Sequence, residues 1–362
     1  MTSPATNTRP DAAPGSVCIV RLSALGDVVM VAPLIKMIRR EWPSTSITWI
    51  IGKAAHPAVA SLERLGVEFV VIEKPRGIGD YLALRRQMKG RCFDALFCLQ
   101  ASWRANFIYP CIRARRKIGH GKGSRDMHSL FVRESVPEPS EPSHIADRFL
   151  QFAGALGGNL NDADTKGSWG LEPPPDAVVW AQAALPAGRW LAVSPCSSKA
   201  ERDWPAESYA EVVNATWRAH GLPAVLLGGP SARDRAMADA IREKLSPETR
   251  VLDLTGQTTV PQLLAALSRC AALLAPDTGA VHIARAFARP VVGLYAVAPA
   301  SRTGPYRAAE FCVDKFAEAA RLVHGRDPET LSRSARVHDP RAMKLITPQE
   351  VLRQIDRALA QV

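Results

Sequence analysis

Short apolar runs separated by helix-patterned segments recur in two series along this chain, with a stretch rich in Gly, Asn, Asp and Pro between them. In the first series the runs are residues 17–21, 47–51, 67–72 and 93–99. Residues 27–42 lie between the first two and carry Val28, Val31, Leu34, Ile35 and Ile38 at helical spacing, and residues 81–89 precede the fourth. In the second series the runs are residues 190–194, 224–227, 250–252, 271–275 and 290–294, with helical patterns at 206–219, 231–245, 259–269 and 279–287. Strands that are apolar throughout and alternate with helices predict parallel sheets covered on both faces.

The dividing stretch predicts two such domains. The expected boundaries are an arm at 1–16, an N-terminal domain at 17–160, a linker at 161–175 and a C-terminal domain at 176–345. A last helix falls within 346–362, with Thr347 as its N-cap and Pro348 in its first turn. A length of 362 residues suits two domains, and 47% apolar with 22% charged residues is ordinary for a globular chain. No run approaches the roughly 18 apolar residues of a membrane span. The polar N-terminal arm lacks the apolar centre of a secretion signal. Seven cysteines without a C-x-x-C pair read as reduced, mostly buried thiols of a cytoplasmic protein. A net charge of +11 points to an acidic partner: nucleic acid, anionic lipid or a phosphorylated substrate.

Three turns carry the chemistry. The first, RLSALGD, leaves a strand at Arg21 and places Gly26 and Asp27 where a helix starts; Asp27 there is either an N-cap or a group facing the ligand. With one glycine it is not a G-x-G-x-x-G fingerprint. The second turn, PDTGAVH, puts the first-turn N–H groups of Thr278, Gly279 and Ala280 at a helix N-terminus suited to a diphosphate. Asp277 would repel a phosphate, so it is expected to cap the helix or to orient Thr278 and a sugar hydroxyl. His282 either reaches a phosphate or is a satisfied core histidine. The third, SPCSSKAERDWP, offers Ser197, Ser198, Lys199 and Arg202 as phosphate-binding groups or as a solvated loop.

These three motifs, with Gly293–Tyr306 after the last strand, resemble glycosyltransferase family 9, the bacterial lipopolysaccharide heptosyltransferases. The resemblance runs from about Val17 over nearly the whole chain. It implies an α/β GT-B fold: two Rossmann-like domains facing across a cleft, the acceptor on the first, the nucleotide sugar on the second, and the last helix crossing back to the first. It further implies metal-independent, inverting transfer of a heptose from ADP-heptose to the lipopolysaccharide inner core, with no cofactor and Asp27 as general base. The donor would be held by Ser197, Ser198, Arg202, Asp277, Thr278, Gly279, Ala280 and His282. Arg202 stands where several family members have Lys, and Ala280-Val281 where many have Leu-Ser.

Ser23, Gly26 and the basic run with Arg113, Arg116, Lys117, His120 and Lys122 fall on the implied acceptor side. That run suits an anionic lipid-linked saccharide or the cytoplasmic face of the inner membrane. Asp162-Ala163-Asp164 spells a metal-type D-x-D pair but sits in the linker, and no Cys/His cluster offers another metal site. Two alternatives remain: a nucleotide-sugar epimerase of similar fold, and a nucleic-acid-binding protein. The second has little behind it at 6% aromatic residues and no stacking motif.

Overall fold

Every apolar run named above becomes a strand in the computed structural model, which describes residues 13–121, 126–137, 143–160, 167–186, 189–332 and 335–361. The first sheet contains β1 (Ser16–Val20), β2 (Ser46–Gly52), β3 (Val67–Ile72), β4 (Phe93–Cys98), β5 (Ala114–Gly119) and β6 (Glu134–Ser135). The second contains β7 (Leu191–Val193), β8 (Ala224–Leu226), β9 (Val251–Asp253), β10 (Ala272–Pro276), β11 (Val291–Tyr295) and β12 (Val313–Asp314). All pairings are parallel, in the orders β3-β2-β1-β4-β5-β6 and β12-β11-β10-β7-β8-β9. Numbered from its own first strand, each sheet has the doubly wound order of a Rossmann fold. Strand β5 is the surprise. Its sequence ARRKIG has no apolar run, yet it pairs with β4 (Ala95↔Arg116, Phe97↔Ile118). Arg115, Arg116 and Lys117 satisfy polar partners, and Ile118 is its one large side chain in the core.

The helices are α1 (Leu25–Val29), α2 (Ala32–Glu41), α3 (Ile78–Gln87), α4 (Trp103–Asn106), α5 (Ile145–Gly154), α6 (Pro175–Ala184) and α7 (Ala206–His220). They continue with α8 (Ala232–Arg242), α9 (Val260–Arg269), α10 (Gly279–Ala286), α11 (Ala300–Thr303), α12 (Phe316–His324) and α13 (Pro348–Leu359). Two compact units emerge. One holds Met1–Ala24, Met30–Glu141 and Ala146–Asp164; the other holds Leu25–Val29, Pro142–Ile145 and Thr165–Val362. These units depart from the expected bounds at α1, at 142–145 and at the linker. The short helix α1, which carries Asp27, groups with the second sheet. The second half of the expected linker is also packed there: Trp169 is fully buried and its N–H donates to the Ala286 carbonyl at 2.9 Å. The D-x-D letters at Asp162 and Asp164 lie outside the described residues.

Helix α13 closes the element order. It starts as its sequence says, with Thr347 and Glu350 forming a reciprocal capping box and Pro348 in the first turn. Its buried Val351, Ile355 and Ala358, spaced along one face, join the core of the second unit, against α7 and β10 to β12. Burying a Val or Ile side chain contributes about 1.5–3 kcal/mol. These contacts group the helix with the second unit. Trp204, of the W-P pair, is buried beside it and donates from Nε1 to the Ile346 carbonyl at 3.1 Å.

Candidate functional site

Ligands of doubly wound sheets collect at the C-terminal ends of the strands where the order reverses. In the second sheet that point lies between β7 and β10, and two of the three motifs leave the sheet there. Their loops are tied together. Ser197 donates its N–H to Asp203 Oδ1 at 2.8 Å and its Oγ–H to the Asp277 carbonyl at 2.8 Å. Arg202, ending a single 3-10 turn, places Nη1 2.9 Å from Asp277 Oδ2, with both side chains about seven-eighths buried (14% and 13% exposed). Thr303 donates to the same oxygen at 3.2 Å. Burial pushes the Asp277 carboxyl above its ordinary range; the charges of Arg202 and Arg336 and the Thr303 hydrogen bond oppose that rise, and the charge of Asp27 adds to it. Ser198 and Lys199 are exposed on the same loop.

Of the two roles expected of Asp277, a cap on α10 or an orienting group, the first does not hold. Thr278 is the N-cap residue, in extended conformation and without a side-chain cap bond. The Val281 N–H closes on the Thr278 carbonyl at 3.1 Å, the N–H groups before it at the helix start have no partner within the helix, and the helix dipole favours an anion at this end. Ala280 is buried in this turn.

The other end of the constellation is the contact between α1 and α10. A Cβ at Gly26 would come within 2.6 Å of His282 Cδ2 and 3.2 Å of Gly279 Cα, and a Cβ at Gly279 within 3.4 Å of the Gly26 N. These glycines allow the two helix starts to touch, which no side chain would permit at Gly26. His282 is 5% exposed, and its Nδ1 has no hydrogen-bond partner among the described residues. Burial lowers its pKa to about 4 against the raising effect of the Asp27 charge, so the ring is neutral near pH 7. Asp27 is half-buried and occupies the third position of α1, past the N-cap position. Its charge acts on both His282 and Asp277.

The expected acceptor residues are not one open basic patch. Ser23 is exposed before α1, and Arg113 is exposed before β5. Arg116 forks onto Glu134 (Nη2 to Oε2 2.6 Å) and also donates to the Ala155 carbonyl at 3.0 Å. Lys117 Nζ donates to the Tyr109 carbonyl at 2.8 Å. His120 Nε2 lies 3.2 Å from the Leu99 carbonyl, and burial takes its pKa down to about 3. Lys122 falls outside the described residues.

Several neighbours of the site escaped the sequence reading. Arg233, in the first turn of α8, pairs with Asp203 at 3.5 Å and donates to the Ser197 carbonyl. The segment 316–341, for which the sequence offered no account, returns to the site. Val337 donates to the Val297 carbonyl at 2.9 Å, His338 pairs with Glu201 at 2.7 Å, and Arg336 adds its charge to the surroundings of Asp277. None of these residues lies in a short motif, so spacing carried no signal for them. A cleft of about 560 Å³ lies at the opposite end of this sheet, lined by Trp190, Leu222, Pro223 and Arg250 beside the strand starts, and contains none of the site residues. Among the described residues no helix is long and apolar enough to cross a membrane.

The sequence model of glycosyltransferase family 9 (heptosyltransferase) matches residues 81–329. The lipopolysaccharide core heptosyltransferase OpsX of Haemophilus influenzae is 33% identical over 349 residues, covering 95% of this chain and 97% of that protein. Among solved structures, a glycosyl transferase family 9 protein from Veillonella parvula superposes with a TM-score of 0.77 at 20% identity, covering 96% of this chain and 98% of its own. The E. coli heptosyltransferase WaaC with ADP-2-deoxy-2-fluoro heptose gives 0.66 at 17% identity, covering 94% and 99%. The last two likenesses establish a common fold of the GT-B type.

Proposed function

The chain belongs to glycosyltransferase family 9, the heptosyltransferases, and from that premise we propose that it moves a heptose from ADP-heptose to the inner core of lipopolysaccharide with inversion at the anomeric carbon. The enzyme class and the lipopolysaccharide heptose chemistry follow from the family and from the OpsX relative. The choice of ADP-heptose is supported by the ADP-2-deoxy-2-fluoro heptose of the WaaC structure. An acceptor of this kind is an anionic, lipid-linked saccharide, and we assign the reaction to the cytoplasmic face of the inner membrane.

The observation that carries the reading is the convergence of Ser197, Arg202, Asp277 and the start of α10 at the switch point of the second sheet, with α1 and its Asp27 packed on that same helix start. The diphosphate docks on the N–H groups of Thr278, Gly279 and Ala280, with Ser197, Ser198 and Arg202 on its oxygens and Asp277 beside the donor sugar. The Asp27 carboxylate takes the acceptor hydroxyl proton as that oxygen bonds to the anomeric carbon. The bond from that carbon to the diphosphate breaks on the opposite face, and ADP leaves with the electron pair. Preorganised donors stabilise the charge growing on the leaving group without reorganising. In this reading no metal is needed. His282 is buried behind Gly26, which supports a place behind the donor and not on its phosphates.

The test combines binding with turnover. Asp27→Asn is expected to retain ADP affinity by calorimetry and to lose roughly 10²- to 10⁴-fold in turnover, the usual contribution of a general base. Wild-type enzyme is expected to release ADP only when acceptor is present, to give product of inverted anomeric configuration by NMR, and to work in the presence of a chelator. Conversion of the donor alone would instead indicate an epimerase. Undiminished turnover in Asp27→Asn would remove the base assignment.

A further inference from the structure

The first unit carries a surface that the transfer reaction does not explain. Ile78 and Leu82 on α3, Trp103 and Phe107 at α4, and Met127 and Leu130 at the 3-10 turn His128–Leu130 are all large, apolar and between 44% and 78% exposed. They form one patch, because contacts join the three pieces. Tyr81 of α3 meets the Phe107 ring edge-on at 6.0 Å, Trp103 stacks on Phe107 at 6.1 Å, and Phe131 meets Phe107 at 5.6 Å. Asp126 binds the α4 start, accepting from the Trp103 N–H at 3.2 Å while its carbonyl accepts from Asn106 Nδ2 at 2.7 Å, and so ties the chain before Met127 to α4.

The base beneath the patch is firm. Asn106 and His128 are buried and hydrogen-bonded at 2.8 Å, Tyr109 is buried with its hydroxyl on the Gln100 carbonyl, and Ser102 caps α4. The aromatic exposure is therefore held in place by the packing below it. Contiguous exposed apolar surface of this kind marks an interaction face.

Charge selects the partner. Arg85, Arg86 and Lys89 on and just after α3, Arg104 on α4, and Arg113 and Arg133 nearby in the chain are all exposed. Three carboxylates of this region already have partners within the unit, although Asp80 is itself exposed. Asp80 accepts from the Arg76 and Gly77 N–H groups, Asp126 from Trp103, and Glu134 sits in the fork of Arg116. An apolar centre of Trp, Phe, Leu and Ile with a cationic rim fits the headgroup level of an anionic bilayer, where amphipathic aromatics settle and arginines meet lipid phosphates. The same rim would repel a second copy of itself.

We propose that the face formed by α3, α4 and the 128–130 turn docks the protein on an anionic lipid surface, with Trp103, Phe107 and Leu130 inserted at the interface and Arg85, Arg86 and Arg104 on the headgroups. This differs from the basic run of the sequence reading, of which Arg116 and Lys117 are occupied internally. The inference extends the proposed reaction by naming the surface that meets the lipid. It is read by binding alone, so its failure leaves the transfer reaction standing, and failure of the transfer reaction leaves it standing.

The experiment uses the full chain with phosphatidylcholine vesicles, with and without phosphatidylglycerol, read by co-sedimentation and tryptophan fluorescence. Binding is expected only with phosphatidylglycerol and is expected to weaken with salt. A blue shift should accompany binding and be lost in Trp103→Phe. Trp103→Ser with Phe107→Ser should lower vesicle affinity at least about tenfold. Arg85→Ala and Arg86→Ala, on an exposed helix face where folding is not at risk, should each cost about fivefold. ADP binding serves as the folding control for every variant. Equal binding to both vesicle types, or wild-type vesicle affinity in the arginine variants, overturns the proposal. So does dimerisation of the wild type that the serine double variant abolishes, since a second copy would then cover the face.

Discussion

Arg202 and Asp277 lie 2.9 Å apart with both side chains largely withdrawn from water, and they come from loops that leave different strands of the second sheet. The pair is at once a staple between those loops and a charged group at the helix start where a diphosphate would sit.

Removing Arg202 should therefore be felt twice. Arg202→Ala leaves a buried carboxylate without its cation, a change that costs about 3–5 kcal/mol when a buried pair is broken. The remaining exposure of both groups places the expectation toward the lower end. ADP affinity should fall, and kcat/KM should drop by roughly 10²- to 10³-fold, as when one preorganised donor is lost. Burial already holds the Asp277 pKa above its ordinary value, and loss of Arg202 should raise it further. An acid with a raised folded-state pKa binds more protons folded than unfolded, so stability declines as pH rises through the interval between the two values. Urea midpoints should show a steeper decline in Arg202→Ala than in wild type as pH rises above the ordinary carboxylate range. Identical slopes would mean that Arg202 does not govern Asp277.

His282 gives the opposite sign. Its folded pKa of about 4 lies below the ordinary 6.5, so between these values the unfolded chain takes a proton that the folded one refuses. Its contribution is intact above pH 6.5 and is lost as pH falls toward 4, with a magnitude of about 3 kcal/mol. His120 and His128, lowered to about 3 and 4 by burial, add to the same acid loss. His282→Asn should remove part of this slope and leave the remainder. A variant whose stability changes with pH as steeply as wild type would show that His282 is not buried in its neutral form.

Gly26 and Gly279 should respond differently to the same added methyl group. At Gly26 the new Cβ lies 2.6 Å from the buried His282 ring, too close for any real contact, so α1 or the ring must move. Overpacking of this kind costs typically about 1–3 kcal/mol. Displacement of α1 also moves Asp27, so the loss in kcat of Gly26→Ala should exceed what its stability explains. At Gly279 the closest atom is 3.4 Å away, ordinary contact, and Gly279→Ala should fold nearly as well as wild type. Thermal melts and kcat for the two variants decide it; equal effects would contradict the packing described.

The two sheets were legible in the sequence because parallel strands buried on both faces are continuous apolar runs, as in SVCIV and ALLAP. Strand β5 was not, because ARRKIG meets its partners through Arg116 and Lys117 hydrogen bonds, which composition reads as a charged surface run. The turns at Asp27, Ser197 and Asp277 stood out because glycine, hydroxyl and carboxylate residues cluster where strands give way to helices. Their partners did not, because Thr303, Arg233 and Arg336 reach the same place from later parts of the chain, and only the folded sheet brings them near. Helix α13 was legible in its cap and face but not in its destination, since an amphipathic stripe says that a surface is covered without saying whose.

The close seating of Gly26 on Gly279 has a consequence for any rearrangement within the enzyme. Because the five residues of α1 group with the second sheet and not with the strand they follow, the carboxylate of Asp27 travels with the cradle at the start of α10. In the proposed reaction, the spacing between the base and the diphosphate seat is then set within one unit, and only the incoming hydroxyl has to find its range.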